Sequence, residues 1–508
     1  MQCTFVNIGN CPSLGVRSLA AYARAHPVVA RRVSFAFLDY DVQKARGTSD
    51  LHTSFTPASL LDTMLADVVA LAADVVALPV YIWNVDLVYN LAQRVHALLP
   101  RTRVVLGGRE VDHTAEQVLA RLPFATIVRG EGEVAFLQLL LAWLGEPTLG
   151  PVEAVSYRDG DRVVHLPRTR YLTDLDVIPF AYEGALAEIA VAIDNFPGWP
   201  RVQYESTRGC PYKCTFCLYG KLPQVAYRSA DLVVPELTAL LRRGLTVEIV
   251  DPVFALNKKR TREILGRLGR ERDLLGTMTV ETYAELLDEE LVDLMAAANV
   301  GYVGVGLQSV DPDALVTMQR RLDAEKYARA IGLLQRAGIS FYVDLIYGLP
   351  GSDYEAFLRS VDFVYGMGVS RIQMYRLLML PGSEMTADAA RHGIRANPEP
   401  PYELIAHDTF PLGDVLRAQR LATTYQVLMG RLEKTGWMDR LGELTTSPAR
   451  LIDRVAGRLG AAGFDFLDPA RSREVDVVGI FTEEAGIAPE RGPAANDDRR
   501  GGRSRPTG

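Results

Sequence analysis

Cysteine is scarce in this chain of 508 residues, which contains only five. So few cysteines exclude a secreted scaffold stapled by disulfide bonds and favour thiols that stay reduced in the cytoplasm. Long uninterrupted apolar runs are missing, and the first residues, MQCTFVNIGNCPSLGVRS, lack the basic stretch and apolar segment of a leader peptide. Acidic residues outnumber basic ones, so the formal net charge is -7. We therefore predict a cytoplasmic protein without a membrane span or a nucleic-acid partner.

The first part of the chain, residues 1–145, alternates short β-branched runs with helical patterns. The strand candidates are CTFVNI, VSFAFLDY, DVVALPVYIW, RVVLGG and ATIVRG, and apolar residues at a spacing of three to four predict helices between them. This alternation predicts an α/β domain with a doubly wound parallel sheet. Such sheets bind ligands at the carboxyl ends of their strands, which here carry GNCPSLG, YIWN, GGRE and GEGE.

A second alternating region covers residues 196–395. Six strand candidates, from VQYEST to RIQMYRLLML, are separated by helical segments, which predicts a partial or full parallel (β/α) barrel. The connector before it, 146–195, is predicted to carry a hairpin, AVSYRDGDRVVHL, that turns at Asp159 and Gly160. After the barrel we predict a mainly helical domain at 396–486 and a disordered tail at 487–508, which has too few apolar residues to fold.

Three of the five cysteines lie directly after the first barrel strand, in TRGCPYKCTFCLYG. Cys210, Cys214 and Cys217 form a C-x3-C-x2-C pattern, and thiolates at this spacing on one loop can point at one inorganic centre. Bound to a cubane of four irons, three thiolates leave one iron open for a substrate or cofactor. Structural zinc is the alternative, but it needs four ligands. Because no cysteine follows Cys217, a distant histidine would have to complete a zinc site.

This cysteine segment resembles the signature of the radical SAM superfamily. The resemblance implies a 4Fe-4S cluster on the three cysteines, with S-adenosylmethionine chelating the open iron and being cleaved by one electron to a 5'-deoxyadenosyl radical. It extends along the barrel through EIVDPVFALNKKR, GVGLQS, DLIYGLPGSDYEAF and MLPGSEM. The residues that it places at S-adenosylmethionine are Phe216, Asp251, Glu281, Gln308, Ser309, Tyr347 and Gly348. Alternatively, Glu281 and Gln308 satisfy backbone groups at strand ends, and Gly348 makes a turn.

The segments PSLGVRSLAAYAR, VVLGGREV and IVRGEGEVAFLQLL resemble the Rossmann-like domain of the cobalamin-binding subgroup of this superfamily. The resemblance implies cobalamin as a further cofactor. The residues that it places there are Ser13, Leu14, Gly15, Tyr81, Trp83, Asn84, Gly107, Gly108, Gly130, Glu131 and Gly132. The D-x-H-x-x-G motif of many cobalamin proteins is missing, because Asp112 and His113 stand at the wrong spacing. We therefore expect a cobalt without a histidine ligand. The alternative for Tyr81 and Trp83, at the end of the third strand, is an apolar plug between domains.

Missing cysteines narrow the class further. Methylthiotransferases need three more cysteines in the N-terminal domain, where this chain has only Cys3 and Cys11, which we interpret as small buried hydrophobic residues. The resemblance then implies a single-cluster enzyme that methylates an unactivated carbon of a small molecule or natural product and receives electrons from a donor such as flavodoxin or ferredoxin. Two alternatives stay open: a cyclase, rearranging enzyme or oxidoreductase for porphyrin-like or isoprenoid substrates, and a noncatalytic corrin or metal sensor.

Overall fold

A seven-stranded sheet forms the N-terminal domain. The computed structural model describes residues 1–43, 56–148, 150–196, 200–222 and 224–487. The strands of this sheet are β1 (Gln2–Gly9), β2 (Ser34–Asp41), β3 (Val75–Pro79), β4 (Arg103–Gly107), β5 (Thr126–Val128), β6 (Val155–Asp159) and β7 (Arg162–His165). They lie in the order β2-β1-β3-β4-β5-β6-β7. The first five are parallel, whereas the hairpin of β6 and β7 continues the sheet with antiparallel pairing. The predicted hairpin is therefore confirmed, and it belongs to this sheet.

Helices cover both faces of this sheet, as the doubly wound prediction requires. Buried side chains alternate between two cores along β1, with Phe5 in one and Val6 and Ile8 in the other. One core is closed by Leu14–Arg24, Pro27–Arg32 and Glu133–Trp143, and the other by Thr56–Ala70, Val85–Leu98 and Ala115–Arg121. The strand order reverses at β1, which has β2 on one side and β3 on the other. Loops diverge at such a reversal and leave a crevice at the carboxyl ends of the strands.

The second region forms an open, partial barrel. Its strands and the short pair beside the cysteine loop are β8 (Arg201–Tyr204), β9 (Thr207–Arg208), β10 (Ala226–Tyr227), β11 (Thr246–Ile249), β12 (Thr277–Thr282), β13 (Val300–Gln308), β14 (Ser340–Tyr347) and β15 (Ile372–Arg376). Six of them make one parallel sheet in the order β15-β14-β13-β12-β11-β8, so β8 and β15 are its edges. The antiparallel pair of β9 and β10 flanks the cysteine loop.

Alternation along the barrel strands separates a helix-covered outer face from a polar inner face. In β11, Val247 and Ile249 are buried in the main core, while Glu248 between them faces inward. The outer helices are Ala230–Leu241, Lys258–Leu268, Glu289–Ala297, Pro312–Thr317, Ala324–Arg336 and Tyr354–Gly366. The helix Leu186–Ile193 packs beside β8 from the connector.

The C-terminal region shares the hydrophobic core of the barrel. It begins with the short pair β16 (Arg395–Ala396) and β17 (Leu404–Ala406), preceded by the helix Glu384–Ala387 and followed by Leu412–Leu432, Leu441–Leu444, Pro448–Ala461 and Val477–Glu484. The longest helix covers the edge strand β15, where the Ile372 amide donates to the Tyr425 hydroxyl at 2.7 Å. Of the predicted tail, residues 488–508 lie outside the described residues. Within the described ranges, no helix is long and apolar enough to cross a membrane.

The N-terminal domain contacts the loops that follow both edge strands of the barrel. After β8, Arg208 forms ion pairs with carboxylates of the N-terminal domain. After β15, the Tyr402 hydroxyl donates to the buried Glu110 carboxylate, and Gly382 lies directly against the His113 ring. The N-terminal domain thus covers the carboxyl end of the barrel sheet. We expect the active site in the space between the two sheets.

Candidate active site

A cavity of about 550 Å³ lies between the carboxyl edge of the N-terminal sheet and the barrel strands β8 and β11. The loops after β1, β3, β4 and β5 form one wall. Gln203, Glu205 and Glu248 contribute to the opposite wall, together with Gly209 and Tyr219 of the cysteine loop. The cavity therefore occupies the crevice expected where the strand order reverses.

All but one of the residues predicted to contact cobalamin line this cavity. They are Ser13, Leu14, Gly15, Tyr81, Trp83, Gly107, Gly108, Gly130, Glu131 and Gly132. The exception is Asn84, whose side chain is fully buried and accepts from the Tyr81 amide at 2.8 Å while donating to the Ile8 and Pro79 carbonyls. The prediction that Tyr81, Trp83 and Asn84 end the third strand is wrong. The strand ends at Pro79 because Asn84 closes a turn instead.

Tyr81 and Trp83 form a flat aromatic surface at the cavity. Their ring centroids are 4.6 Å apart and the rings are nearly parallel, at 8°. Trp83 is 43 % exposed, which disagrees with the alternative of a buried apolar plug between domains. A large planar ligand can stack on the exposed face of such a pair, because stacking uses the face of a ring and needs no hydrogen bond.

Gly108 is a cavity-lining glycine that has no room for a side chain. Its φ of +106° is rarely adopted by residues with a side chain, and an added Cβ would lie 2.5 Å from the Val80 carbonyl oxygen.

We expect Gly108→Ala to lower the free energy of unfolding by about 1–3 kcal/mol, because both the backbone strain and the clash must be relieved. Urea denaturation of the apoprotein measures this, and cobalamin uptake should fall with it. The matched control is Gly15→Ala, which also lines the cavity but has only the Ser13 Oγ, at 3.9 Å, near the added carbon. Equal stability of the two variants would contradict the assignment of Gly108.

The three predicted cluster ligands are neighbours on one loop. Cys214 is buried and the other two thiols are partly exposed, and all are free cysteines. Burial raises the pKa of Cys210, with a further increase from the thiols of Cys217 and Cys214. The Tyr219 amide donates to the Cys217 sulfur at 3.4 Å. The loop that carries the three cysteines contributes Gly209 and Tyr219 to the wall of the cavity.

The donor set fits a cubane cluster better than a single ion. Among the residues that the structure describes, no three His, Cys, Asp or Glu side chains form a site for one metal ion. A 4Fe-4S cluster offers a separate iron to each thiolate, so three neighbouring thiols need not converge on one point. Binding would require the thiolate forms, whose formation burial opposes in Cys210 and Cys217 until iron supplies the positive charge.

Asp251, predicted to contact S-adenosylmethionine, braces the start of the cysteine loop. Its buried carboxylate accepts hydrogen bonds from the Ser206 amide and hydroxyl, both at 2.6 Å, and from the Thr207 amide at 2.8 Å. Burial raises the pKa of Asp251 to about 6. The structure therefore directs this side chain to the backbone between β8 and β9, where it positions the segment that leads to Cys210.

The other predicted contacts to S-adenosylmethionine are spread over the carboxyl end of the barrel. Phe216 packs partly buried against the main core. The hydroxyl of Ser309 accepts from the Asp311 amide at 3.0 Å. Tyr347 packs against Phe357 of an outer helix, with ring centroids 5.5 Å apart. The structure thus does not bring the side chains of Ser309 and Tyr347 onto the inner face.

Two more of these residues are fixed by backbone geometry. Gln308 has a φ of +71° at the end of β13, where the pairing with β14 shifts register. Gly348 has a φ of +80°, and its carbonyl accepts a hydrogen bond from His407 at 3.1 Å. These positions shape the ends of β13 and β14, which agrees with the alternative that Gly348 makes a turn.

Glu281 does lie on the inner face, and its surroundings contain residues that the sequence did not single out. The Tyr342 hydroxyl donates to the Glu281 carboxylate at 3.3 Å. Burial and the nearby Glu281 carboxylate raise the pKa of Asp344 to about 8. One Asp344 oxygen is buried without a hydrogen-bond partner among the described residues. A signal existed, since Asp344 is the one charged residue in SFYVDLIY.

Arg208 joins the two domains directly beside the cysteines. Its guanidinium forms ion pairs with Glu131 at 3.1 Å, Glu133 at 2.8 Å and Glu205 at 2.6 Å. Arg168 approaches the same Glu131 carboxylate at 3.7 Å. Sequence reasoning missed this cluster because the partners lie far apart along the chain. It ties the glycine loop of the cavity to the segment that enters the cysteine loop.

Comparisons with known proteins match both halves of this arrangement. A family model of the B12 binding domain matches residues 7–140, and one of the Radical SAM superfamily matches residues 204–364. The cobalamin-dependent radical SAM methyltransferase TokK of Streptomyces tokunonensis is 27 % identical over 345 residues, which are 65 % of this chain and 50 % of TokK. The uncharacterized methyltransferase PH0819 of Pyrococcus horikoshii is 26 % identical over 387 residues, covering 74 % of this chain and 77 % of that protein.

The chain thus spans about half the length of TokK. A solved structure of the cobalamin-dependent S-adenosylmethionine radical enzyme OxsB, with aqua-cobalamin and S-adenosylmethionine bound, superposes with a TM-score of 0.67. The match covers 96 % of this chain and 79 % of OxsB at 15 % sequence identity, which shows a shared fold. The order of domains predicted from the sequence is the order in which the two family models match. The chain thus carries a B12-binding domain followed by a radical SAM domain.

Proposed function

We propose that this chain is a cobalamin-dependent radical SAM methyltransferase that acts on an unactivated carbon of a small molecule. One observation carries the proposal: a single cavity is lined by ten of the eleven residues predicted for cobalamin and by Gly209 and Tyr219 of the cysteine loop. Two cofactors held on opposite walls of one cavity lie within reach of one substrate. Holding reactants together in this way lowers the activation barrier by several kcal/mol, and by about 7–11 kcal/mol in the best intramolecular cases.

The chain's own residues have separate tasks in this proposal. Cys210, Cys214 and Cys217 hold the cluster, and the glycine loops that line the cavity admit the corrin close to the backbone. When bound, the cluster with S-adenosylmethionine supplies the radical that removes hydrogen, and cobalamin supplies the methyl group. The protein positions these groups and excludes water and competing hydrogen donors.

The wall formed by β8 and β11 is the candidate contact surface for substrate. Arg201 forms an ion pair with Glu248 at 3.1 Å, and the Gln203 amide donates to the same carboxylate at 3.1 Å. All three side chains line the cavity. Because they hold one another in place, they offer a substrate fixed polar groups at little cost in side-chain entropy.

We also propose cobalamin without a histidine on cobalt. No histidine lines the cavity in the described part of the chain, and the ring of His113 packs against Gly382 instead. An external one-electron donor of the flavodoxin or ferredoxin type is part of the proposal, as is a cytoplasmic location. The donor is needed because the cluster must gain one electron before it can cleave S-adenosylmethionine. The location is supported by a chain whose few cysteines suit a reducing compartment.

The test uses the full chain after anaerobic reconstitution with iron, sulfide and cobalamin. With S-adenosylmethionine and a strong one-electron reductant, we expect both 5'-deoxyadenosine and S-adenosylhomocysteine, because one molecule of S-adenosylmethionine donates the methyl group and another provides the radical. Chromatography quantifies the two products. The electron paramagnetic resonance spectrum of the reduced cobalt should lack nitrogen splitting from an axial histidine.

Three outcomes would overturn this function. Formation of 5'-deoxyadenosine without S-adenosylhomocysteine would favour the cyclase, rearranging or oxidoreductase alternative and leave the radical chemistry intact. A loaded chain that forms neither product would support the sensor alternative. A chain that never takes up cobalamin during expression with cobalamin supplied would contradict the role assigned to the cavity.

A further inference from the structure

Tyr283 was not among the residues predicted to bind a cofactor, but it contacts one of the predicted cluster ligands. It lies in the turn directly after β12, and its hydroxyl is 3.4 Å from the Cys214 sulfur. Cys214 is the most buried of the three predicted cluster ligands. Sulfur atoms of cluster ligands accept hydrogen bonds, and such bonds are among the features that set the reduction potential of an iron–sulfur cluster.

The ring of Tyr283 is held between two neighbours. The guanidinium carbon of Arg320 lies 4.4 Å from its ring centroid. The ring of Tyr212 packs on it at 4.5 Å with a tilt of 36°. Arg320 is itself anchored, because its guanidinium donates to the Gly306 carbonyl of β13 at 3.0 Å. The hydroxyl is therefore aimed at the sulfur by a rigid arrangement rather than by a free rotamer.

The charge of Arg320 acts in the same direction as the hydroxyl. Its guanidinium packs on the ring whose hydroxyl contacts Cys214, so its positive charge lies near the cysteine loop and stabilises negative charge there. A phenol keeps its proton at neutral pH because its ordinary pKa is about 10. A thiolate bound to iron has no proton to give, so Tyr283 can only be the donor in this contact.

We propose that Tyr283, oriented by Arg320, donates a hydrogen bond to the sulfur of Cys214 and raises the reduction potential of the cluster. The proposal rests on the cluster that the proposed function requires. An external reductant loses one electron and the cluster gains it, with no bond formed or broken. The added negative charge is stabilised by the hydroxyl dipole and the guanidinium, so reduction becomes easier. Tyr283 is thus a positioning residue for the electron-transfer step.

The test is a redox titration of the anaerobically reconstituted full chain, followed by electron paramagnetic resonance. Tyr283→Phe keeps the ring between Arg320 and Tyr212 and removes only the hydroxyl. At the midpoint potential of the wild type, we expect its ratio of reduced to oxidised cluster to fall about tenfold, which equals about 59 mV for a one-electron couple. Arg320→Gln should shift the ratio in the same direction, and Arg320→Lys should restore part of it.

The matched control is Tyr212→Phe. This ring also packs against Tyr283, but its hydroxyl bonds to none of the three sulfurs among the described residues, so its midpoint should equal that of the wild type. A Tyr283→Phe protein with full iron content and an unchanged midpoint would overturn the inference and leave the proposed function standing. A wild-type chain that binds no cluster would instead refute the proposed function.

A second replacement keeps the inference testable if Tyr283→Phe loses its iron. Incorporation of 3-fluorotyrosine at position 283 preserves the ring and its packing but makes the hydroxyl a stronger donor. The midpoint should then move in the positive direction. An unchanged or more negative midpoint in this protein would overturn the assignment of Tyr283, whatever the phenylalanine variant does.

Discussion

Replacing Cys210, Cys214 and Cys217 together with alanine should abolish the iron content of the reconstituted chain and the formation of 5'-deoxyadenosine. The reason is that the described residues offer no other cluster of sulfur ligands near the cavity. Removal of the reacting centre costs the whole rate enhancement, which in enzymes is on the order of 10⁶-fold or more. Wild-type protein should hold about four irons per chain. Iron analysis and chromatography of the nucleoside measure both effects.

The control for this triple variant is Cys3→Ala. Cys3 is fully buried and lies in the core of the N-terminal domain, away from the cysteine loop. Its replacement leaves a small void and should cost about 1 kcal/mol of unfolding free energy while the iron content stays full. If the triple variant retained iron and cleaved S-adenosylmethionine, the assignment of the cluster to these cysteines would be wrong.

Replacing Arg208 with methionine should destabilise the chain by about 3–5 kcal/mol, because it leaves buried carboxylates without their partner. Arg208 pairs with Glu131, Glu133 and Glu205 across the domain interface, and its own side chain is only 14 % exposed. Methionine keeps most of the apolar stem and removes the charge. Denaturation in urea gives the free energy of unfolding, and iron retention shows whether the cysteine loop is disturbed as well.

The loss of unfolding free energy caused by Arg208→Met should depend on pH. The sign of this dependence follows from the pKa of Glu133. Burial raises the pKa of Glu133, but the charge and hydrogen bonds of Arg208 overcome this, so the pKa stays below its usual range. A depressed carboxyl pKa stabilises the fold above the unfolded value, near 4.3, and this stability is lost as the pH falls through the folded pKa. The difference in unfolding free energy between wild type and Arg208→Met should therefore become smaller below about pH 4.

The matched control for Arg208→Met is Arg242→Met. Arg242 pairs with Glu271 at 2.8 Å, but its side chain is 53 % exposed. Exposed ion pairs contribute about 0–1 kcal/mol, because water screens the charges and the side chains lose entropy on pairing. Equal unfolding free energies for the two variants at neutral pH would contradict the role of Arg208 as a clamp between the domains.

Much of the architecture could be predicted because it is encoded over short stretches of chain. The run around Phe5 is short and buried on both faces, and the run around Val247 alternates with a period of two. Because the segments between the strands have a helical period, the backbone must form βα units. The cavity-lining glycines could be predicted for a related reason. The carboxyl ends of parallel strands meet at one edge of a sheet, so Gly15, Gly108 and Gly130 had to come together.

Asp251 shows where the same reasoning stops. Its place after β11 was evident, and the family resemblance suggested a contact with S-adenosylmethionine. In the structure its carboxylate is occupied by Ser206 and Thr207, 45 and 44 residues earlier in the chain. A side chain's partner depends on the register of the neighbouring strand, which a local pattern does not contain.

The sequence by itself determined the βα order, the cysteine loop after β8 and the glycine-rich edge of the N-terminal sheet, since these follow from periodicity and spacing within a few residues. Only the tertiary structure decided that Arg208 clamps Glu133, 75 residues away, and that Tyr283 reaches Cys214, 69 residues away. The physical reason is that hydrogen bonds and ion pairs need their atoms within about 3–4 Å. Such precision arises only when packing has fixed both backbones, and no spacing along the chain specifies it.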